Sequence, residues 1–346
     1  MVAMSGGVDS SVAAALLAAD GHQVVGATLK LWGGPSDSGC CSVADVDDAR
    51  RVAQQLGITH HVFNLSEAFG TRVVAPYVAA HAAGRTPNPC IECNRLVKFD
   101  LLLQRALRLG FDALATGHHA RVSAEGGRHR LRRGADAAKD QSYVLAMLGQ
   151  QALARVMFPV GELTKAEVRE RAATLGLRTA AKPDSQDVCF IHGSEGRRRF
   201  LAGRTTLHSG AVVDRRSGAT LGSVDAVELV TVGQRRGLGP SQGGARRYAV
   251  SVDVPGRRVL VDTDPLVADV ALDPGTLSWV DAPLADGARA LAQMSAHGRP
   301  VRCRWEGRDG GRVVFDDPQR PVAPGQTVAL YQHDDPDAVA GCGVAA

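Results

Sequence analysis

The sequence has almost no lysine. Of its 40 basic residues only five are lysine, the last being Lys182, which leaves 35 arginines in a chain of 346 residues with a net charge of +4. A GC-rich genome explains the preference for arginine. It does not explain the clustering at Arg197–Arg199, Arg215-Arg216, Arg235-Arg236, Arg246-Arg247 and Arg257-Arg258. Paired arginines on turns suit a phosphate backbone, and equally a solvated surface. Long apolar runs are also missing: 45% of the residues are apolar, yet no stretch approaches the ~20 that a bilayer span needs. No charged segment followed by an apolar one opens the chain, so no secretory signal is expected and the cytoplasm is the expected setting. Seven cysteines, an odd number, do not suggest a disulfide scaffold; core residues, metal ligands or nucleophiles remain. Internal repeats and low-complexity segments are absent. Only four residues precede Ser5, few for a full first strand, which raises the expectation of an upstream start.

What is present divides by texture. Val24–Leu31, His60–Leu65 and Ala113–Thr116 read as strands, and Val12–Ala19, Asp45–Leu56 and Leu96–Leu109 as helices. Such alternation indicates an α/β domain with a parallel sheet covered on both faces, with ligands at the carboxyl ends of its strands. Thr164–Leu175 reads as a helix with Thr164 as cap and Gly176 as stop. From about residue 205 short β-branched runs alternate with turns ("GAVVD", "VELVTVG", "RYAVSVDV", "RRVLVDT"), and a third block ("VRCRWEG", "GRVVFDD", "GQTVALYQH") reads as a small β-barrel. The expected domains are 1–195, 196–264 and 265–346.

The loop Ser5-Gly6-Gly7-Val8-Asp9-Ser10-Ser11 stands between an apolar run and an alanine-rich helix. Successive N–H groups and a helix N-terminus cradle anionic oxygens, and Gly6 and Gly7 permit close approach. The lysine of the G-x-x-x-x-G-K-[ST] phosphate loop is missing, which disfavours kinase-like transfer. S-G-G-x-D-S at a strand-to-helix junction resembles the loop of ATP pyrophosphatases that cleave between the α- and β-phosphates. Such a loop holds the leaving pyrophosphate while AMP activates a substrate oxygen.

"GRTPNPCIECNRLVKFD" places Cys90 and Cys93 where a proline-rich turn meets a helix, with Arg95 and Lys98 near. A thiol there should ionise more readily than a free one. A C-x-x-C pair fits zinc, a redox pair or an iron–sulfur cluster; zinc needs two more ligands, and no second C-x-x-C or H-x-x-x-H exists. Cys189, in "DSQDVCFI", is by itself a core residue or a nucleophile.

Taken in order, "SGGVDSS", "TPNPCIECN" with "KFD", "ATGHHAR", "KDQSYVL", "FPVGELTKAEVR", "DSQDVCFI" and "VGQRRGLG" resemble the bacterial tRNA-uridine 2-sulfurtransferases, the MnmA or TrmU family. The match is dense to about residue 192 and thins in the barrel to "VRCRW" and "PGQTVALY". The resemblance implies an ATP site from Ala3, Met4, Ser5, Gly6, Gly7, Val8, Asp9 and Ser10, with Leu29 at adenine and Gly117 completing the pocket. It implies that Asn88, Pro89 and Cys90 lie against the target uracil, and that His118, Lys139, Asp140, Gln141, Arg304, Trp305 and Gln326 contact tRNA. The catalytic pair it implies is Cys93 and Cys189. ATP with magnesium adenylates the uracil oxygen, and a Cys189 persulfide, loaded by a sulfur-carrier protein or cysteine desulfurase, delivers sulfur. Cys93 then closes a disulfide with Cys189. The residues taken singly allow plainer roles: Gly117 as a turn, Lys139 and Asp140 as a surface pair, Trp305 as barrel core.

The chain departs from the family in places. Cys90 stands where some members have aspartate, so that Cys90, Cys93 and Cys189 could instead hold a 4Fe–4S cluster. Cys40 and Cys41 recur in relatives and read as structural. His119 replaces a frequent tyrosine. Val224, Ala226 and Leu229 replace a histidine, a glycine and a tyrosine, which weakens the case for tRNA contacts in the central domain, though Gln234–Leu238 remain. Competing readings are an amidating ATP pyrophosphatase and a non-catalytic tRNA-binding paralogue.

Overall fold

A computed structural model describes residues 1–32, 43–184, 188–191, 196–238, 246–308 and 310–346; Cys40 and Cys41 lie outside the described residues. The first unit is a five-stranded parallel sheet in the order β3-β2-β1-β4-β7, formed by β1 (Val2–Ala3), β2 (Val25–Lys30), β3 (Thr59–Asn64), β4 (Leu114–Thr116) and β7 (Val156–Met157). β2 carries four consecutive buried residues because both of its faces are covered. β1 has only two residues, but it pairs on both sides, Val2 with Gly26 and with Ala115. The Met1 nitrogen donates to the Ala113 carbonyl at 2.9 Å and Met4 N–H to the Ala27 carbonyl at 2.8 Å, which tie β1 to its two neighbours.

The strand order reverses at β1, with β2 on one side and β4 on the other. The glycine loop follows β1 and Gly117 follows β4, so both lie at the switch-point crevice where such sheets take ligands. Helix α1 (Val8–Ala19) begins inside the loop, earlier than the apolar pattern indicated, with Gly7 as N-cap in extended backbone. Its small residues pack with α2 (Val43–Gln55), Val160 and Val168 in one core cluster. The helix expected over 96–109 starts at Pro89 and runs on through Cys93, Leu102 and Arg108, with a π-helical stretch at Asn94–Leu102. Asn88 makes the difference: its side chain accepts from Cys90 N–H at 3.1 Å, and Pro89 occupies the first turn, where its missing N–H costs nothing. At Thr164 the expected cap is a full capping box with Glu167, and Gly176, at φ 62°, ends that helix.

A β5–β6 hairpin (Ala120–Glu125 and Arg128–Arg133) projects from the first unit. Next comes a four-stranded sheet, β10-β11-β8-β9, of β8 (Gly210–Asp214), β9 (Thr220–Val224), β10 (Tyr248–Asp253) and β11 (Arg258–Asp262). The "VELVTVG" run is not a strand. Val227–Leu229 forms a 3₁₀ turn because Glu228, 1% exposed, turns inward to accept from His208 N–H and to pair with its Nδ1 at 2.6 Å.

The third unit is a seven-stranded antiparallel sheet in the order β12-β16-β15-β14-β17-β18-β13, with its own core around Trp305, Phe315 and Leu330. Its strands are β12 (Val267–Ala271), β13 (Ser278–Trp279), β14 (Arg289–Gln293), β15 (Val301–Glu306), β16 (Arg312–Gln319), β17 (Thr327–Gln332) and β18 (Val339–Val344). Among the described residues no helix is long and apolar enough to cross a membrane.

Candidate active site

Gly6 takes φ 72°, and a Cβ there would come 2.3 Å from the Asp45 carbonyl oxygen, so the loop lies directly on the first turn of α2. Gly117 is held as tightly from the other side, where a Cβ would meet Ser10 N at 2.5 Å and Asp9 C at 2.6 Å. Both glycines are close-approach positions. Ser10 Oγ accepts from Ser5 N–H at 3.1 Å, and Ser11 Oγ donates to the Gly7 carbonyl at 2.8 Å. The hydroxyls thus shape the turn and leave α1's first amides at the crevice. Met4, Val8 and Leu29 are buried, so the loop presents backbone there.

Asp9 is the polar centre of the loop. Lys165 Nζ lies 2.7 and 2.8 Å from its two oxygens, and His119 Nε2 lies 3.2 Å from Oδ1. Burial opposes ionisation of Asp9, but the hydrogen bonds from His119 and Lys165 outweigh it and hold the carboxyl below its ordinary range. His119 is therefore wired into the loop. Lys165 also reaches Asp184 at 2.9 Å, which pairs with Lys139 and Arg169 at 2.8 Å each. Burial again opposes, and the lysines again win, bringing Asp184 to about 2. Lys182 donates to the Gly6 carbonyl at 2.9 Å and to Asp45 and Asp48 at 2.6 and 2.8 Å.

Cys93 is buried on the helix that Asn88 caps, and Cys90, one turn earlier, is exposed. The Cys189 segment is held by its neighbour Phe190, which sits among Trp32, Phe69, Tyr77 and Phe200 at ring distances of 5.0–6.1 Å. In a chain with 4% aromatics, this concentration is a strong anchor. One pocket of about 340 Å³ has Thr86, Pro87 and Pro89 on one wall and Val188 and Ile191 on another, with Tyr77, His81 and Arg197 completing it. The two cysteine segments, about a hundred residues apart in sequence, therefore border the same cavity. Among the described residues no three His, Cys, Asp or Glu side chains are grouped to hold a metal ion.

The residues expected at tRNA are placed unevenly. Arg304 is half-exposed, its guanidinium 3.7 Å from Glu306. His118 is buried between Phe99 and Phe158 with Nδ1 2.6 Å from Thr116 Oγ1; burial, then Lys98 and His119, keep it well below its ordinary pKa and neutral. Gln141 accepts from His119 N–H, and Lys139 is taken by Asp184. Two of these residues are turned inward. Trp305 is 3% exposed and packs edge-on to Trp279 at 5.3 Å, as a core residue of the third unit. Asp140 is enclosed, accepting from Arg133 Nη1, Gly134 N–H and both donors of Ser142. Gln326 faces the protein, donating from Nε2 to the Thr86 carbonyl at 2.6 Å, while Thr86 N–H donates to Pro324. Val224 and Ala226 are buried, and Leu229 packs against the core cluster of the first unit, so these three positions are apolar packing here. Several arginines also pair with carboxylates of this chain: Arg132, largely covered, with Asp335, and the exposed Arg216 and Arg258 with Asp262 and Asp253.

Lys165, Lys182 and Asp184 join this network without standing among the residues that the resemblance implies; for the two lysines the sequence signal is scarcity, since the chain otherwise writes arginine.

A family model described as a tRNA methyl transferase HUP domain matches residues 1–193, and one described as an aminomethyltransferase beta-barrel domain matches 272–344. The tRNA-specific 2-thiouridylase MnmA of Chloroflexus aurantiacus is 44% identical, covering 96% of this chain and 94% of its own. That of Heliobacterium modesticaldum is also 44% identical (96% and 89%), and that of Saccharopolyspora erythraea 42% (97% and 95%). Among solved structures, the U34-tRNA thiolase NcsA of Methanococcus maripaludis, with its 4Fe–4S cluster, is 19% identical over 58% of this chain and 63% of its own, at a TM-score of 0.35; that likeness carries no argument about this chain. With the glycine loop at the switch point and both cysteine segments at one cavity, the chain belongs to the MnmA family of tRNA-specific 2-thiouridylases.

Proposed function

We propose that this chain is an ATP-dependent tRNA 2-thiouridylase that replaces the oxygen on carbon 2 of the wobble uridine with sulfur. The observation that carries the reading is the shared cavity: Pro89, at the start of the Cys93 helix, and Val188 and Ile191, which flank Cys189 and Phe190, line one pocket. A family description speaks of methyl transfer, but the relatives are thiouridylases, and a phosphate loop with two cysteine segments serves activation and sulfur delivery.

The uracil oxygen attacks the α-phosphorus of magnesium-bound ATP, and pyrophosphate leaves toward the α1 N-terminus. The terminal sulfur of a Cys189 persulfide then attacks carbon 2. Cys93 thiolate attacks the inner sulfur, forming the Cys93–Cys189 disulfide as the sulfur–sulfur bond breaks, and AMP departs with the original oxygen. A two-electron reductant resets the pair, and a carrier protein or desulfurase reloads it. These needs suit the cytoplasm. Arg304 and the exposed Arg235-Arg236 and Arg246 are the phosphate-backbone contacts in this reading.

The test is anaerobic thiolation of tRNA with ATP, a cysteine desulfurase with cysteine as the persulfide source and a dithiol reductant, read on a mercury-containing gel. An ATP-dependent retarded band that disappears in both Cys93→Ala and Cys189→Ala supports the reading. Tight tRNA binding without any band identifies a non-catalytic paralogue, and activity that survives in Cys189→Ala rejects the sulfur route.

A further inference from the structure

The glycine loop has no lysine of its own, and the fold brings lysines to it from elsewhere. Three of the five in the chain, Lys139, Lys165 and Lys182, meet beside it. Lys165 touches Asp9 from the start of its helix, 12% exposed, and Lys182 donates to the Gly6 carbonyl itself. They arrive from separate segments of the chain, so no single stretch of sequence shows that they meet. An ammonium is a compact charge with three rotatable donors, whereas a guanidinium is a planar fork; where several phosphate oxygens converge on crowded backbone, the ammonium fits.

At present these ammonium groups are held by carboxylates: Lys165 by Asp9 and Asp184, Lys182 by Asp45 and Asp48, Lys139 by Asp184. Lys139, Lys165 and Arg169 pair with Asp9 and Asp184, and Asp136 lies beside them, accepting from Lys165 N–H at 2.9 Å, so the charges of the group balance. Ammonium groups beside a helix N-terminus and a glycine turn stand where phosphate oxygens can replace their carboxylate partners.

We propose that Lys165 and Lys182 are the pyrophosphate-binding lysines of this site, each exchanging a carboxylate partner for an oxygen of the β,γ-pyrophosphate of ATP. Asp184 and Asp48 hold the ammonium groups in place until the phosphates arrive. The inference rests on the ATP-site reading above and adds to it the residues that grip the leaving group.

The test is the dissociation constant of the full chain for inorganic pyrophosphate and for ATP, both with magnesium. Lys165→Met and Lys182→Met are expected to weaken both ligands at least tenfold and leave tRNA affinity within twofold, and Lys165→Arg to recover only part. Arg178→Met, which removes another cation from Asp48 at 2.9 Å without facing the loop, is expected to leave pyrophosphate binding within twofold. Asp184→Asn removes the competing carboxylate and is expected to tighten pyrophosphate binding about threefold or more. Folded methionine variants that bind pyrophosphate like the wild type overturn the proposal. If those variants prove unstable, Asp184→Asn decides: tighter binding supports exchange, weaker binding makes the network purely structural. A wild-type chain that binds neither ATP nor pyrophosphate rejects the ATP-site reading itself, a separate outcome.

Discussion

Gly117 and His81 show how single residues are fixed by different forces. A side chain at Gly117 has no space, since the backbone of Asp9 and Ser10 lies within 2.6 Å of its Cβ position. Gly117→Ala must displace the loop, at a cost of about 1–3 kcal/mol for overpacking. The expected outcome is a lower melting temperature and a KM for ATP raised at least tenfold, with tRNA affinity unchanged. His81 is buried, 4.6 Å from the Tyr77 ring, with Nδ1 3.3 Å from the Glu228 carbonyl. Burial, then the Arg197 charge, lowers it from 6.5 to about 4. The fold favours the neutral ring, so its contribution is complete above pH 6.5 and is lost as the pH falls toward 4. Linkage puts that loss at about 3 kcal/mol. Chemical denaturation of wild type and His81→Phe at pH 7 and pH 4 measures it as the difference in pH dependence, and equal slopes would refute the assignment.

At the scale of elements, the cysteine helix is set at both ends of its approach. Asn88 caps it, and the third unit clamps the preceding loop through the two bonds to Thr86. Gly325 lies against the same loop, where a Cβ would meet Thr86 N at 3.2 Å. Gln326→Ala leaves the Thr86 carbonyl without that donor, a loss of about 1 kcal/mol. Amide exchange over residues 85–93 is expected to accelerate about fivefold, with thiolation slowed more than tRNA binding. Unchanged exchange there would mean that the clamp does not order the loop. Asn88→Ala is expected to cost about 1 kcal/mol as a lost cap, and thermal melting reads that directly.

For the whole molecule, the hairpin β5–β6 carries one of the contacts between the first and third units. Arg133 holds Asp140, donates to Gln293 Oε1 at 3.0 Å and stacks 3.7 Å from the Tyr331 ring centroid, while Arg121 reaches Asp337 at 3.0 Å. Arg133→Ala leaves Asp140 buried without its cation, a change that costs about 3–5 kcal/mol. The expected result is a melting curve that splits or drops sharply, and a variant as stable as wild type would show that the hairpin does not join the units. Since several arginines are consumed in such pairs, the surface left for tRNA is smaller than the count of 35 arginines implies. The affinity should still fall steeply with salt, with a log–log slope near −0.9 per phosphate contact on a duplex stem; filter binding at two salt concentrations gives it.

The sequence by itself determined the parallel sheet, the glycine loop, the capped helix at Thr164 and the two cysteine segments. Local patterning and motif chemistry are written in neighbouring residues, and neighbouring residues can be read in order. It also identified the family, since those motifs recur in fixed succession. The tertiary structure alone decided what distant residues do to one another. It turned Trp305 and Asp140 inward, made Gln326 a clamp on the Thr86 loop and bent the Val227–Leu229 run around a buried glutamate. It also brought Lys165 and Lys182 to a loop more than 150 residues away in sequence. Burial and charge pairing depend on distances across the folded chain, and no local pattern in the sequence carries those distances.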